Sequence, residues 1–301
     1  METRVLPFSD ESVTEAARLI LAGEPVAVAT ETVYGLAADA CRPTAVARIY
    51  EAKGRPDFNP LIVHVPDIGA AMRIGVFDDE ARALAGQHWP GPLTLVVPLR
   101  EDADIASIVT AGLPTIGLRV PAHPAMQALL KATRRPLAAP SANASGSISP
   151  TRADHVLKSL GGRIPLILDS GPTERGIEST IVVATGGPLR LLRRGPIAVE
   201  AEMVASDIVE APGQLASHYA PAKPLRLNAA EAGPDEFLIG FGAVGGDATL
   251  SASGDLEEAA ARLFDLLHEA DESPKERIAV APIPDEGLGA AINDRLRRAA
   301  A

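Results

Sequence analysis

The chain contains 301 residues, 47% of them apolar and 22% charged, so it is long enough to bury one large core or two ordinary ones. A net charge of −11 and an aromatic content of 3% argue against a dedicated nucleic-acid binder, which normally has a basic face and rings on which bases stack. Cys41 is the sole cysteine, no apolar run is long enough to span a membrane, and the N-terminus has no signal-like segment, so we expect a cytoplasmic protein without a membrane role.

The first two hundred residues predict a mixed sheet. Apolar residues recur at helical spacing over residues 13–21, and residues 25–29 form a compact apolar strand. Pro43 begins a second helix, which should place Lys53 and Arg55 on the loop that follows it. Further strands are predicted at 61–65, 93–98, 115–120, 137–140, 164–168, 179–184 and 189–193, and helices near 78–86, 123–132 and 150–159. We therefore expect an α/β fold, a mixed twisted sheet with flanking helices.

The composition changes after residue 205. Turn and breaker residues dominate 206–224, which predicts a linker or lid between a catalytic domain, residues 1–205, and a small C-terminal domain, residues 225–301. The C-terminal residues alternate between strand and helix, as in a small parallel, Rossmann-like α/β domain. They contain no glycine-rich phosphate motif, so we expect the chemistry in the first domain. The predicted elements are strands at 237–241 and 277–281 and helices at 256–267 and 287–298.

Two short motifs suit a nucleoside triphosphate. Lys53-Gly54-Arg55-Pro56 supplies two cations for phosphate oxygens, and Ser141-Ala142-Asn143 supplies a hydroxyl and an amide that can orient them. Taken alone, the first motif is typical of a solvated surface pair and the second of a turn. Ser149-Pro150 allows two interpretations, a helix N-cap followed by a first-turn proline or a hydroxyl beside a bound phosphate.

Two polar residues interrupt apolar strands. A lone histidine on a strand, such as His64, is usually a satisfied core residue. A charged residue such as Arg119 must find a partner or face a polar cavity, and its natural partner is a carboxylate, supplied either by a ligand or by an internal acidic residue. The histidines show no metal-ligand spacing with Cys41 or with one another, so we expect no metal bound by the protein alone.

Six ordered segments resemble the YrdC-like family of L-threonylcarbamoyladenylate synthases, and the resemblance runs from about residue 10 to about residue 200. Segment 211–221, which includes His218-Tyr219, is similar to the linker of that family's two-domain form. The six segments are Thr30-Glu31-Thr32-Val33-Tyr34-Gly35-Leu36, Asn59-Pro60-Leu61-Ile62-Val63-His64-Val65, Trp89-Pro90-Gly91-Pro92-Leu93-Thr94, Thr115-Ile116-Gly117-Leu118-Arg119-Val120-Pro121, Ala139-Pro140-Ser141-Ala142-Asn143 and Gly176-Ile177-Glu178-Ser179-Thr180-Ile181-Val182.

The resemblance implies a role for each matching residue. It assigns L-threonine contacts to Thr32, His64, Arg119, Ala139 and Ser179. It assigns ATP contacts to Lys53, Arg55, Asn59, Thr115, Ser141, Asn143, Ser149, Arg193 and Tyr219, with Lys53, Arg55, Ser141 and Asn143 as the catalytic group. The doubled arginine leaves Arg194 as an alternative to Arg193, and Tyr34 is equally compatible with a pocket wall and with the core.

The resemblance also implies a reaction. L-Threonine, bicarbonate and ATP would condense to threonylcarbamoyl-AMP and pyrophosphate, with Mg2+ arriving on the ATP, and separate proteins would transfer the product to tRNA. Direct tRNA binding stays open. Two alternatives remain at this point: an RNA-binding or ribosome-maturation module on the same fold, and a carbamoyltransferase that forms a carbamoyl adenylate.

Overall fold

The computed structural model describes residues 2–56, 58–203, 209–213 and 217–301, and its largest feature is an eleven-stranded mixed sheet. The strands are β1 (Arg4–Pro7), β2 (Val26–Ala29), β3 (Tyr34–Asp39), β4 (Ile62–His64), β5 (Leu93–Pro98), β6 (Thr115–Arg119), β7 (Leu137–Ala138), β8 (Leu166–Asp169), β9 (Thr180–Val183), β10 (Arg190–Arg193) and β11 (Glu202–Met203). They lie in the order β1-β8-β2-β3-β7-β4-β6-β5-β9-β10-β11. Strands β2, β4 and β9 are buried at every residue, as their continuous apolar sequences predict.

Helices flank this sheet, and their ends follow from the sequence. Ser9 and Ser12 form a reciprocal capping box at the start of the first helix, which ends at Gly23 with a φ of +91°. Gly54 ends the second helix with a φ of +58°, so the chain turns sharply between Lys53 and Arg55. The helices are α1 (Asp10–Ala22), α2 (Pro43–Lys53), α3 (Ile68–Met72), α4 (Asp79–His88), α5 (Pro124–Thr133) and α6 (Ala153–Leu160).

A second sheet of four strands, all parallel, forms in the C-terminal part of the chain. Its strands are β12 (Leu225–Arg226), β13 (Glu236–Gly240), β14 (Ala248–Thr249) and β15 (Arg277–Val280), in the order β12-β15-β13-β14, and its helices are α7 (Leu256–Glu272) and α8 (Gly287–Ala299). The predicted fold class, a mixed sheet with flanking helices plus a small parallel α/β domain, is confirmed.

The two sheets are joined by a shared apolar core. Val33, Ile148 and Ile177 from the first part of the chain pack in one cluster with the buried faces of α7 and α8, and the ring of Tyr219 is fully buried in it. Gly176, with a φ of +68°, approaches α7 so closely that a Cβ atom there would lie 2.3 Å from the carbonyl oxygen of Ala260. The C-terminal part is therefore packed against the N-terminal part along an apolar surface.

Several local predictions need correction. Lys53 is the last residue of α2, so only Arg55 of the two cations lies on the loop. Helix α6 begins after Arg152, so Ser149 is not its N-cap. Strand β3 was not predicted, because its glycine and alanines have low strand propensity even though all six residues are buried. Strands β1, β11, β12 and β14 and helix α3, all six residues or shorter, were also not predicted.

The predicted linker, residues 206–224, is described only in part. Residues 206–208 and 214–216 lie outside the described residues, whereas 209–213 and 217–224 are placed against the first sheet and the C-terminal part. Within the part of the chain that the structure describes, no helix has the length and apolar character needed to cross a bilayer.

Candidate functional site

A closed cavity of about 40 Å³ lies where the first sheet, the linker and the C-terminal part meet. Its volume holds only a few water molecules, whereas pockets for small-molecule ligands usually measure about 300–1,000 Å³. Three arginines line it, namely Arg55, Arg119 and Arg193, together with the carboxylate of Glu178. Such a lining favours anionic ligands, but the cavity has to enlarge before any of them can enter.

The sheet topology brings distant residues to one cavity. Strands β4 and β6 are parallel and pair His64 with Arg119, so both side chains stand at the carboxyl ends of their strands. Strand β5 is antiparallel to β6, and β9 is parallel to β5, which places Ser179, just before β9, at the same edge. Thr32 precedes β3, which runs parallel to β4, so it lies towards the other ends of the strands and joins the set through its hydroxyl, which accepts from Arg119. We call this set, completed by Ala139 after β7, the strand wall: Thr32, His64, Arg119, Ala139 and Ser179.

Arg119 is held on several sides. Its Nη1 donates to the hydroxyl of Thr32 at 3.0 Å, and its Nε donates to the carbonyl of Gly91 at 3.3 Å. Its Nη2 lies 2.6 Å from Oε1 of Glu31, an ion pair whose atoms are close without hydrogen-bond alignment. Burial opposes ionisation of Glu31, but Arg119 brings the pKa of that carboxyl below its usual value. The internal carboxylate considered as an alternative partner is thus present, and Arg119 nevertheless faces the cavity.

His64 is buried, and neither of its ring nitrogens is hydrogen-bonded within the described part of the chain. Burial, with the nearby charge of Arg119, lowers the pKa of His64 to about 3, so the imidazole is neutral at physiological pH. A neutral imidazole has one donor and one acceptor to offer. Two unpartnered nitrogens at a cavity wall are an unusual feature, because buried polar atoms almost always have partners.

Ser179 and Arg193 are bound to each other. The guanidinium of Arg193 donates to the carbonyl and the hydroxyl of Ser179, each at 3.0 Å, and that hydroxyl also lies 2.8 Å from the hydroxyl of Thr94. Arg194 is exposed and does not line the cavity. The structure therefore places Arg193, the first of the two adjacent arginines, in the cavity wall.

A second group, which we call the loop wall, contains Lys53, Arg55, Asn59, Ser141 and Asn143. The ammonium of Lys53 donates to the carbonyl of Ser141 at 2.5 Å and to the carbonyl of Asn143. Complete burial, with Arg55 nearby, holds the pKa of Lys53 well below its usual value. The two sequence motifs are thus in contact, as the phosphate hypothesis requires.

The members of the loop wall differ in their access to the cavity. Arg55 and Ser141 line it, whereas Lys53, Asn59 and Asn143 are buried beside it. Arg55 donates to the carbonyls of Asn59 and Pro60, at 3.2 and 3.1 Å, and burial lowers its pKa to about 10. Several of the predicted phosphate ligands therefore bind backbone carbonyls in this closed form.

Three other predicted residues lie away from the cavity lining. Thr115 borders a separate void of about 10 Å³, which it shares with Pro212 of the linker. Ser149 is fully buried and donates its hydroxyl to Oε1 of Glu178 at 2.5 Å. Tyr34 belongs to the core, where its hydroxyl donates to the carbonyl of Gly171 at 2.7 Å.

The described part of the linker closes the cavity. Pro212 accepts a hydrogen bond from Arg193 at 3.3 Å, and Tyr219 and His218 complete the lining. The hydroxyl of Tyr219 has no hydrogen-bond partner among the described residues, and burial raises its pKa above the usual tyrosine value. Burial also lowers the pKa of His218 to about 3. The linker residues thus present polar atoms to the cavity.

Sequence reasoning missed Arg295, which contacts a cavity-lining residue from the C-terminal part. Its Nε donates to Oε2 of Glu178 at 3.0 Å, and Glu178 lines the cavity. A signal was present, because on α8 Arg295 takes a position in the stripe formed by Ala291, Ile292 and Leu296, where a charge is out of place.

Among the described residues, no group of three or more His, Cys, Asp or Glu side chains could hold a metal ion. The two carboxylates nearest the cavity, Glu31 and Glu178, are engaged by Arg119 and Arg295.

Comparisons with known proteins agree over nearly the whole chain. The Sua5/YciO/YrdC family model, described as "Telomere recombination", matches residues 18–195, and the model described as "Threonylcarbamoyl-AMP synthase, C-terminal domain" matches residues 177–301. Threonylcarbamoyl-AMP synthase of Bacillus subtilis is 40% identical, covering 99% of this chain and 95% of that protein, and that of Pyrococcus abyssi is 38% identical, covering 94% and 92%. The crystal structure of P. abyssi Sua5 complexed with L-threonine superposes with a TM-score of 0.91 at 34% identity, covering 100% of this chain and 98% of that one.

Proposed function

Since this chain belongs to the Sua5/YciO/YrdC family and makes threonylcarbamoyl-AMP, we propose that its closed cavity is the place where L-threonine, bicarbonate and ATP are joined. The observation that supports this assignment best is the meeting of two sets of side chains at one cavity. The strand wall offers hydrogen-bonding groups and one arginine, and the loop wall, with Arg193, offers further cations.

L-Threonine would lie against the strand wall. The guanidinium of Arg119 has five N–H donors, and its contacts with Gly91, Thr32 and Glu31 leave donors free for the threonine carboxylate. The unpartnered nitrogens of His64 are suited to the hydroxyl or the carboxylate of the amino acid. Ala139 keeps one side of the slot small and apolar, which suits the threonine methyl group.

ATP would lie against the loop wall. Arg55 and Arg193 already face the cavity, and Lys53 lies directly behind Ser141. Because the ammonium of Lys53 is paired only with carbonyl oxygens, a phosphate oxygen would be a stronger acceptor for it. We infer that the side chains of the loop wall rearrange when ATP enters. Mg2+ would arrive with ATP and draw its remaining ligands from the phosphates and water, where it would neutralise charge on the pyrophosphate.

The reaction then proceeds in two steps. The threonine amine takes up carbon dioxide from bicarbonate, with loss of water, and gives a carbamate. A carbamate oxygen attacks the α-phosphorus of ATP, the bond to the β-phosphate oxygen breaks, and pyrophosphate leaves with threonylcarbamoyl-AMP as the product. The protein contributes mainly by placing two anions in line and by neutralising their charge with the arginines of the cavity.

Closure of the linker would protect the carbamate, which loses carbon dioxide readily in water. Pro212, His218 and Tyr219 together cover the cavity, and a cavity of about 40 Å³ cannot hold ATP. The linker must therefore open for substrate entry and product release, and we propose that it closes again for the chemical step.

The product is a labile mixed anhydride, so it has to pass quickly to an acceptor. We expect separate proteins to transfer the threonylcarbamoyl group to tRNA, in the cytoplasm where ATP and tRNA are both present. Whether this chain itself contacts tRNA is tested by a binding measurement at low salt, since an electrostatic contact would weaken steeply as salt is raised.

The proposed function is tested by pyrophosphate release. The purified chain is incubated with Mg2+, ATP and bicarbonate, with each amino acid added in turn, and the nucleotide product is identified by mass. We expect release that depends on L-threonine and on bicarbonate. Release that needs carbamoyl phosphate in place of threonine and bicarbonate, or no release with any amino acid, would overturn the assignment.

A further inference from the structure

Arg295 is a fully buried arginine on α8, in the C-terminal part of the chain. A buried guanidinium is costly unless its N–H groups are satisfied, so its partners show what the chain gains from keeping it. Only Asp294, at 3.3 Å, is a neighbour in sequence. The other partners are more than one hundred residues away in the chain or belong to the linker.

The guanidinium of Arg295 contacts three segments of the chain. Nε donates to the carboxylate of Glu178 at 3.0 Å and Nη2 to its carbonyl at 3.4 Å, while Nη1 donates to the carbonyl of Arg194 at 2.7 Å. The carbon at the centre of the guanidinium lies 5.6 Å from the ring centroid of Tyr219. Burial opposes ionisation of Glu178, but Arg295 and Arg193 bring its pKa below the usual glutamate value, so an ionised pair crosses between the two parts of the chain.

These contacts close a ring around one corner of the cavity. Arg295 holds Glu178, the residue before Ser179, and it holds Arg194, the residue after Arg193. Arg193 in turn binds both the hydroxyl and the carbonyl of Ser179. The position of the Ser179–Arg193 pair is therefore set from behind by a side chain that never reaches the cavity itself.

We propose that Arg295 is a positioning residue of the reaction, through which the docked C-terminal domain fixes the Glu178–Ser179 and Arg193–Arg194 segments and supports the Tyr219 ring of the linker. This inference deepens the proposed function and rests on it. The C-terminal domain then does more than carry the linker, because the corner shared by the threonine and ATP sites has its closed shape only while α8 is docked. A lysine cannot replace Arg295, since one ammonium cannot reach Glu178 and Arg194 in the same fork geometry.

A surface ion pair at the same junction provides a matched control. Lys158 of α6 and Glu272 of α7 are 2.6 Å apart, both side chains are about half exposed, and neither lines the cavity. Removing Lys158 perturbs the docking of the two domains but leaves the contacts of Arg295 and Arg193 around Ser179 in place. A difference between the Arg295 and Lys158 variants therefore reports on positioning.

The experiment uses the full chain with Arg295→Met, Arg295→Lys and Lys158→Met. Melting temperature is measured for each, and kinetics are taken at a temperature where every variant is folded. The readouts are kcat, the KM values for L-threonine and ATP, and the number of pyrophosphates released per threonylcarbamoyl-AMP formed. For Arg295→Met we expect kcat/KM for both substrates to fall at least tenfold, with at least twofold more pyrophosphate released per product.

Arg295→Lys separates the two possible roles of the arginine. If Arg295 positions the corner, Arg295→Lys recovers melting temperature more fully than it recovers kcat/KM, and Lys158→Met keeps wild-type kinetics. Wild-type kinetics and coupling in folded Arg295→Met, or a loss of activity that follows melting temperature equally in all three variants, would overturn the proposal. A wild-type chain without threonine-dependent pyrophosphate release would instead refute the proposed function, so the two failures are distinguishable.

Discussion

The two walls of the cavity are built in different ways. The strand wall consists of side chains at strand ends, and all five of its members line the cavity in the closed form. In the loop wall, by contrast, Lys53, Asn59 and Asn143 are buried beside the cavity. The positions of the strand-wall residues are thus fixed by the sheet. The loop-wall residues have to exchange internal hydrogen bonds for hydrogen bonds to a ligand.

This difference indicates which half is preorganised. Residues within or next to paired strands are held by the sheet, so the strand wall should bind its ligand with little rearrangement. The loop wall faces a linker that must open, and its cations satisfy carbonyls until a phosphate arrives. We expect substitutions in the two walls to separate in their effects on L-threonine and on ATP.

The largest effect is expected from Arg119→Met. The substitution removes the carboxylate-binding fork and leaves Glu31 buried without its ion pair, which costs about 3–5 kcal/mol of folding free energy. In the variant protein that remains folded, kcat/KM for L-threonine should fall by about two to three orders of magnitude, because about 3–4 kcal/mol of transition-state stabilisation is lost. Steady-state kinetics with varied L-threonine measure this change, and circular dichroism confirms folding.

Arg100→Met is the matched control for that variant. Arg100 also pairs with a carboxylate, that of Asp102 at 2.9 Å, but the pair lies on the surface. Exposed pairs contribute about 0–1 kcal/mol, so stability and kinetics should stay close to wild type. A KM for L-threonine in Arg119→Met within twofold of wild type would exclude the carboxylate contact.

A smaller effect, on ATP rather than on L-threonine, is expected from Lys53→Met. Removal of the ammonium takes one cation from the place proposed for the triphosphate, so the KM for ATP should rise by about ten- to one hundredfold. The KM for L-threonine should change less than about threefold, because Lys53 makes no contact with the strand wall. Equal changes in both KM values would show that the two walls do not act separately.

The sequence predicted the strand wall better than the loop wall, for a physical reason. Thr32, His64, Arg119 and Ser179 are adjacent to short apolar strands, so their placement follows once those strands form one sheet. The fold class followed from the same apolar periodicity. Lys53 was expected on a loop where it would hold the triphosphate, whereas it ends α2 and donates to the backbone carbonyls of the second motif.

Contacts between segments that are far apart in the chain could not be predicted from local sequence patterns. Arg295 meets Glu178 at a sequence separation of 117 residues, and the local sign was a charge within an apolar helical stripe. Ser149 shows the opposite case, because a local pattern of serine before proline suggested an N-cap, whereas its hydroxyl is used by Glu178. When a polar side chain makes a tertiary contact, the sequence around it does not identify its partner.

Tyr219→Ala tests the role of the linker, which the loop wall faces. It removes a ring that lines the cavity and belongs to the shared core, so we expect weaker ATP binding by about tenfold, or pyrophosphate release that no longer requires L-threonine. Isothermal titration with ATP and a pyrophosphate assay without threonine measure the two outcomes. Tyr219→Phe is the control, since the hydroxyl has no hydrogen-bond partner and the ring is kept. Unchanged values of both quantities in Tyr219→Ala would remove the linker from the mechanism.

The smallest effect concerns stability against pH and compares a histidine from each region. Burial lowers the pKa of both His64 and His218 to about 3, from an unfolded value near 6.5. A depressed histidine pKa means that the unfolded chain binds the proton first, so stability is complete above about pH 6.5 and is lost as pH falls toward the folded pKa. Each imidazole that stays buried until global unfolding should contribute a slope of about 1.4 kcal/mol per pH unit between about pH 6 and pH 4.

The two histidines should nevertheless differ, because one lies on a strand and the other on the linker. When the linker opens, His64 is still held on β4 beside the charge of Arg119, which disfavours its protonation until the sheet unfolds, so His64→Asn should remove most of its slope from the free energy of global unfolding. His218 can be protonated when the linker alone opens, so His218→Asn should remove less. Urea unfolding of the three proteins at several pH values measures these slopes. Equal reductions in the two variants would mean that the linker opens only when the sheet does, and the cavity would then have no separate entry step.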